Sequence, residues 1–178
     1  LDLPAIREAV TVDIGVSVTA EPGHPDATSA PAALAAIHNA VRDVGAGTAR
    51  AIVTNPVAKN VLYRSGFAEP GHTEYLAKLA EDMTGVRVHP VMLLWSPELA
   101  VVPVTIHLPL REVVVRLTTD LVVTTGRIVA RDLKERFGIA HPRLAVAGLN
   151  PHAGEDGALG EEDLTVVRPA VDLLRAEG

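Results

Sequence analysis

The sequence predicts an α/β fold with a mostly parallel sheet flanked by helices, on three observations. Short β-branched runs alternate with longer stretches whose apolar residues recur at helical spacing, the pattern of repeated strand-helix units. Gly, Pro and Asn mark the junctions between them, where turns are required. With 178 residues and 48% apolar content, one ordinary domain can bury a core. No internal repeat, low-complexity tract or interdomain linker interrupts the chain, which reads as a single α/β region over residues 1–178.

In chain order, residues 30–44 (APAALAAIHNAVRDV) are Ala-rich with helical periodicity, and Gly45 and Gly47 end the helix. Residues 49–54 (ARAIVT) read as a strand, followed by the Asn55-Pro56 turn and a helical stretch through Val61 and Leu62. Thr73 suits the N-cap of a helix over 74–83, because its hydroxyl can accept an orphan backbone N–H. Two β-rich runs follow at 90–95 and 99–106, then a short helix at 112–117 and a longer one at 121–137, which Gly138 is placed to terminate in a left-handed conformation. Residues 143–147 (RLAVA) form another strand, and after a Gly-rich loop a last helix covers about 163–176.

Composition narrows the function. There is no Cys, so disulfides and thiolate nucleophiles are excluded and any metal must take nitrogen and oxygen ligands; a cytoplasmic protein fits this. A net charge of −6, scattered basic residues and 3% aromatics argue against a nucleic-acid surface. No apolar run approaches the roughly 18–20 residues that span a bilayer, and the opening residues 1–4 (LDLP) lack the features of a secretory leader. An enzyme acting on a small molecule is the class that remains.

In open α/β sheets, ligands bind where strand-to-helix loops converge at the carboxyl ends of strands. Residues after Thr54, Ile106 and Ala147 are therefore the ones to question. Lys59 opens a helix, where its charge gains nothing from the dipole; it could meet an anionic substrate or be a solvated surface residue. His107 ends an apolar strand, where a hydrogen-bonded core histidine is the plainer alternative to a metal ligand. His152 lies in a Gly-rich loop with Asn150, Glu155 and Asp156, and imidazoles suit zinc and other borderline divalent ions. The acids at Glu161, Glu162 and Asp163 have a structural explanation, the preference of carboxylates for a helix N-terminus. His72 precedes the potential cap Thr73, next to amides able to bind an anion.

Together, TNPVAK (54–59), PGHTEYLA (70–77), TIHLPLREV (105–113) and RFGIAHPRLAVAGLNPHAGEDGALGEED (136–163) resemble the 4-hydroxythreonine-4-phosphate dehydrogenase family of pyridoxal phosphate biosynthesis, from about residue 30 to the end of the chain. That resemblance implies an isocitrate and isopropylmalate dehydrogenase-like fold working as a homodimer. It implies oxidation of 4-phosphohydroxy-L-threonine with decarboxylation, dependent on NAD and a divalent metal (zinc, with magnesium or cobalt as alternatives). It assigns His107 and His152 as metal ligands and His72 and Thr73 as substrate contacts; Lys59, Asn150 and Glu155 are supporting candidates. NAD rests on the resemblance alone, since no G-x-G-x-x-G follows a strand. The family's G-D-P-A-G-I-G-P-E-like opening and its third metal histidine, in a Y-H-D-Q-G segment, have no counterpart here, and Asp163 stands where a second Glu is common. The chain thus reads as an internal piece of a longer two-domain dehydrogenase. Alternatives are a dehydrogenase of 4-phosphothreonate or 4-phosphoerythronate, and a catalytically silent metal- or phosphate-binding domain.

Overall fold

A computed structural model describes residues 10–178; the leader reading of residues 1–4 falls outside them. The chain forms two compact units, one ending at Pro90 and the other spanning Val91–Gly178. The division falls inside the β-rich run 90–95, where no Gly-rich or charged linker announces it.

The first unit is built on helix α1 (Ser29–Gly45). Its entry is fixed by Asp26, whose carboxylate accepts hydrogen bonds from the Thr28 backbone N–H (2.8 Å) and hydroxyl (2.6 Å). Its exit is fixed by Gly47, at φ +75°, after which the Thr48 N–H returns to the Asp43 carbonyl at 3.0 Å. Between these ends, Ala30, Leu34, Ile37 and Val41 recur at helical spacing. Ala30 and Leu34 pack with Val61 and Leu62 of α2 (Lys59–Arg64), and Ile37 and Val41 with Leu79 of α3 (His72–Thr84).

Helix α3 starts two residues before the expected position. Gly71, in an extended conformation, is the N-cap; its carbonyl accepts from the Tyr75 N–H at 3.1 Å, so Thr73 lies inside the first turn and caps nothing.

In the second unit, β1 (Leu94–Trp95) pairs antiparallel with β2 (Ala100–Val101). The turn between them is closed by the Ser96 hydroxyl, which accepts from the Glu98 and Leu99 amides. Helix α4 (Leu110–Arg116) leads to α5 (Thr119–Glu135), whose N-cap Thr118 accepts from the Leu121 N–H at 3.1 Å. Gly138 takes the left-handed conformation expected of it, at φ +71°. A single π-type turn (Asp163–Val167) runs directly into α6 (Arg168–Ala176). Leu117, Val122, Val123 and Ala170 form the core, with Val104, Val166 and Leu174 packed around it. Gly126 permits close packing of α5 on α6, since a Cβ there would meet a Leu174 methyl at 2.6 Å.

The sheet is where sequence and structure differ. A mostly parallel sheet was expected from runs at 49–54, 90–95, 99–106 and 143–147; among the described residues the only ladder is the two-residue antiparallel pair. A β-branched run becomes a strand only when a neighbouring strand satisfies its N–H and C=O groups. Residues 49–54 and 143–147 have no such neighbour among the described residues, and Val53 is 98% exposed.

Candidate functional site

The loop carrying His152 is built by its own backbone. The Asn150 side-chain oxygen accepts from the His152 N–H at 2.9 Å, and the Asn150 carbonyl accepts from the Ala153 N–H at 3.0 Å. This Asx-turn reverses the chain around Pro151. The next five residues, Ala153, Gly154, Glu155, Asp156 and Gly157, all have positive φ, between +43° and +100°. Each non-glycine residue in that region costs about 1–2 kcal/mol, so surrounding contacts must hold the loop. The Gly154 carbonyl accepts from the Gly157 and Leu159 amides, and the His152 carbonyl accepts from the Glu155 N–H. Gly154 is buried, and a Cβ on it would lie 2.7 Å from the Gly160 carbonyl oxygen. No other residue fits there without moving backbone.

The His152 side chain is exposed, and its Nδ1 lies 2.7 Å from a Glu155 carboxylate oxygen. In the neutral imidazole that contact places the proton on Nδ1 and leaves the Nε2 lone pair available, the arrangement that outer carboxylates impose on metal-binding histidines. His107 is also exposed and has φ +56°. Among the described residues, the non-glycine positions with positive φ are His107, Ala153, Glu155 and Asp156. All four fall in the two loops singled out for metal binding. Backbone strain of this kind persists where the structure over-determines it, and it clusters at functional sites. No group of three or more His, Asp or Glu able to hold a metal forms among the described residues. His107 and His152 each offer an imidazole nitrogen, but no complete donor set for a cation forms among the described residues.

In the first unit, His72 is the first residue of α3, and both it and Thr73 are half-buried. The His72 Nε2 is buried with no hydrogen-bond partner among the described residues, a state that costs about 1–3 kcal/mol. The preceding loop is held by the Tyr63 hydroxyl, which donates to the Pro70 carbonyl at 2.9 Å, and by the edge-on contact of Phe67 with Tyr75. Lys59 is exposed at the start of α2.

Sequence reading missed Asp163. It was explained as a helix N-terminal acid, yet it is buried, and its carboxylate accepts from the Leu149 N–H at 3.2 and 3.3 Å. The signal was present: Asp163 shares the spacing of Val167, Ala170 and Leu174, the inward face of the last helical segment.

Against known proteins, the chain matches the family model of the pyridoxal phosphate biosynthetic protein PdxA over residues 4–178. It belongs to the PdxA family. PdxA-family relatives include the 4-hydroxythreonine-4-phosphate dehydrogenases of Bradyrhizobium diazoefficiens, 62% identical over 98% of this chain and 50% of that protein, and of Xanthobacter autotrophicus, 57% identical over 92% and 47%. A 4-hydroxythreonine-4-phosphate dehydrogenase structure from Klebsiella pneumoniae superposes with a TM-score of 0.75 at 36% identity, over 90% of this chain and 47% of that one. This likeness to a PdxA-family structure supports the α/β class. The chain spans about half the length of the curated relatives it matches. Among the described residues, no helix is long and apolar enough to cross a membrane.

Proposed function

We propose that this chain is part of a cytoplasmic, homodimeric, NAD-dependent and divalent-metal-assisted dehydrogenase that oxidises 4-phosphohydroxy-L-threonine with decarboxylation. Under this reading the chain is one portion of a longer two-domain polypeptide with an isocitrate dehydrogenase-like parallel sheet. The observation that carries it is that the positive-φ non-glycine residues among the described residues all fall in the His107 and His152 loops, in a chain whose relatives are named 4-hydroxythreonine-4-phosphate dehydrogenases.

His107 and His152 would hold the cation, zinc being the ion most suited to imidazole ligands, with magnesium or cobalt as alternatives. Bound there, the ion supplies Lewis acidity toward a substrate hydroxyl, and NAD supplies the hydride acceptor. Glu155 engages the His152 Nδ1 and would leave Nε2 for the cation. Asn150 makes the turn that presents this histidine. His72, whose buried Nε2 has no hydrogen-bond partner among the described residues, and Thr73 would contact the phosphorylated substrate. Lys59 supplies a nearby positive charge in sequence, with no contact that assigns it a role.

NADH absorbance tests this directly. The protein as its gene encodes it, offered 4-phosphohydroxy-L-threonine, 4-phosphothreonate and 4-phosphoerythronate in turn, should turn over the first with the highest kcat/KM and release CO2. Preference for another acid moves the substrate assignment to that compound. No NADH from any of them, with metal and substrate present, removes the dehydrogenase reading and leaves a metal- or phosphate-binding domain.

A further inference from the structure

We infer that Asp163 is a positioning residue for His152, holding the strained loop in the conformation that presents the imidazole. This rests on the reading of His152 as a metal ligand and goes beyond it, since Asp163 lies eleven residues away and accepts from the Leu149 N–H.

Three observations lead to it. Asp163 is one of only two buried polar side chains among the described residues, at 8% exposure. Burying a carboxylate is costly unless hydrogen bonds compensate it. Both of its oxygens are directed at one group, the Leu149 N–H, which immediately precedes the Asn150 turn. The bond therefore ties the end of 143–149 to the start of the last helical segment, and the loop with five consecutive positive-φ residues is strung between the two tied points. A Cβ built on Gly154 would meet the Gly160 carbonyl oxygen and then the Asp163 Cβ, so residue 163 stands beside the loop that its carboxylate ties. Release of the Leu149 tether lets 150–157 relax toward negative φ, because each non-glycine position gains by doing so. Such relaxation carries His152 and Glu155 out of their mutual geometry.

A merely structural carboxylate would behave differently, and two substitutions separate the cases. Asp163→Asn keeps an oxygen that can accept from Leu149. Asp163→Leu keeps a similar branched shape and removes the acceptor together with the cost of burying a charge. Zinc affinity, measured by chelator competition, should stay within a few-fold of wild type in Asp163→Asn. It should fall by about 10–100-fold in Asp163→Leu, the range typical of lost outer-shell support, while thermal stability is held or raised. Val123→Ala, a core substitution in the same unit, should lower stability without changing zinc affinity. Unchanged zinc affinity in Asp163→Leu, alongside a large loss in His152→Ala, overturns the positioning role alone. An equal loss in Val123→Ala also overturns it, by showing general destabilisation. No loss in His152→Ala instead removes the metal-ligand reading on which the inference stands.

Discussion

Replacing Gly154 by Ala asks whether the His152 loop closes on itself as tightly as the backbone indicates. Two costs add. The residue sits at φ +79°, and a side chain in left-handed backbone costs about 1–2 kcal/mol. The new Cβ would also stand 2.7 Å from the Gly160 carbonyl oxygen. That obstacle is backbone, so relief requires movement of the loop, with an overpacking cost of about 1–3 kcal/mol. Gly138→Ala is the control: at φ +71° it carries the first cost, but nothing lies within 4 Å of its Cβ. The difference between the two variants is thus about 1–3 kcal/mol, the worth of the close approach alone. Trp95 is the only Trp in the chain and lies in the same unit as both glycines, so its fluorescence in urea reports the relevant transition. For a unit of this size, with a slope near ~1 kcal/mol per M, Gly154→Ala should unfold about 1–3 M earlier than Gly138→Ala. Coincident midpoints would refute the close approach, and with it the claim that loop contacts hold the strained residues.

Three further outcomes follow from packing and charge. Thr118→Ala removes the oxygen that accepts from Leu121 at the start of α5 and should cost about 1 kcal/mol by the same fluorescence measurement. Val123→Ala deletes two buried methyl groups' worth of contact from a residue 3% exposed, and should cost about 2 kcal/mol once the residual cavity is included. Arg127 donates to the Glu177 carboxylate, with Nε at 3.0 and 3.2 Å from its oxygens, and holds that carboxyl below its usual range. A depressed carboxylate stabilises the fold above its unfolded pKa and loses that contribution as pH falls through its folded value. The gap in thermal midpoint between wild type and Glu177→Gln should therefore narrow on acidification below the normal Glu range. Both groups are exposed, so the gap should also shrink in high salt; a gap independent of pH would contradict the assignment.

Helices were legible because their signals are local. The Ala-rich face of α1, the Gly47 and Gly138 exits and the apolar spacing of α6 each lie within a few residues of what they determine. Thr73 misled because Gly71, two residues earlier, could start the helix itself. Strands were legible only as tendencies. Residues 49–54 and 143–147 have the composition of strands, but pairing is decided by distant segments, and no described strand pairs with them. At the candidate site, His107 and His152 were visible from their placement after apolar runs. The glycines of the His152 loop allow positive φ, but its spread to Ala153 and Glu155 had no local signal in the sequence. Asp163 was hidden by a correct but incomplete explanation: it does lie in the first turn of the last helical segment, where an acid needs no further reason, and only its burial shows that it faces inward.

X-ray absorption at the zinc edge tests the central claim most directly, by counting the imidazoles on the bound ion in the protein as its gene encodes it. Wild type should show histidine nitrogens at about 2.0–2.1 Å, and His107→Ala and His152→Ala should each lose one imidazole from the same single site. An imidazole count unchanged in either variant would contradict the claim that these two loops meet on one cation.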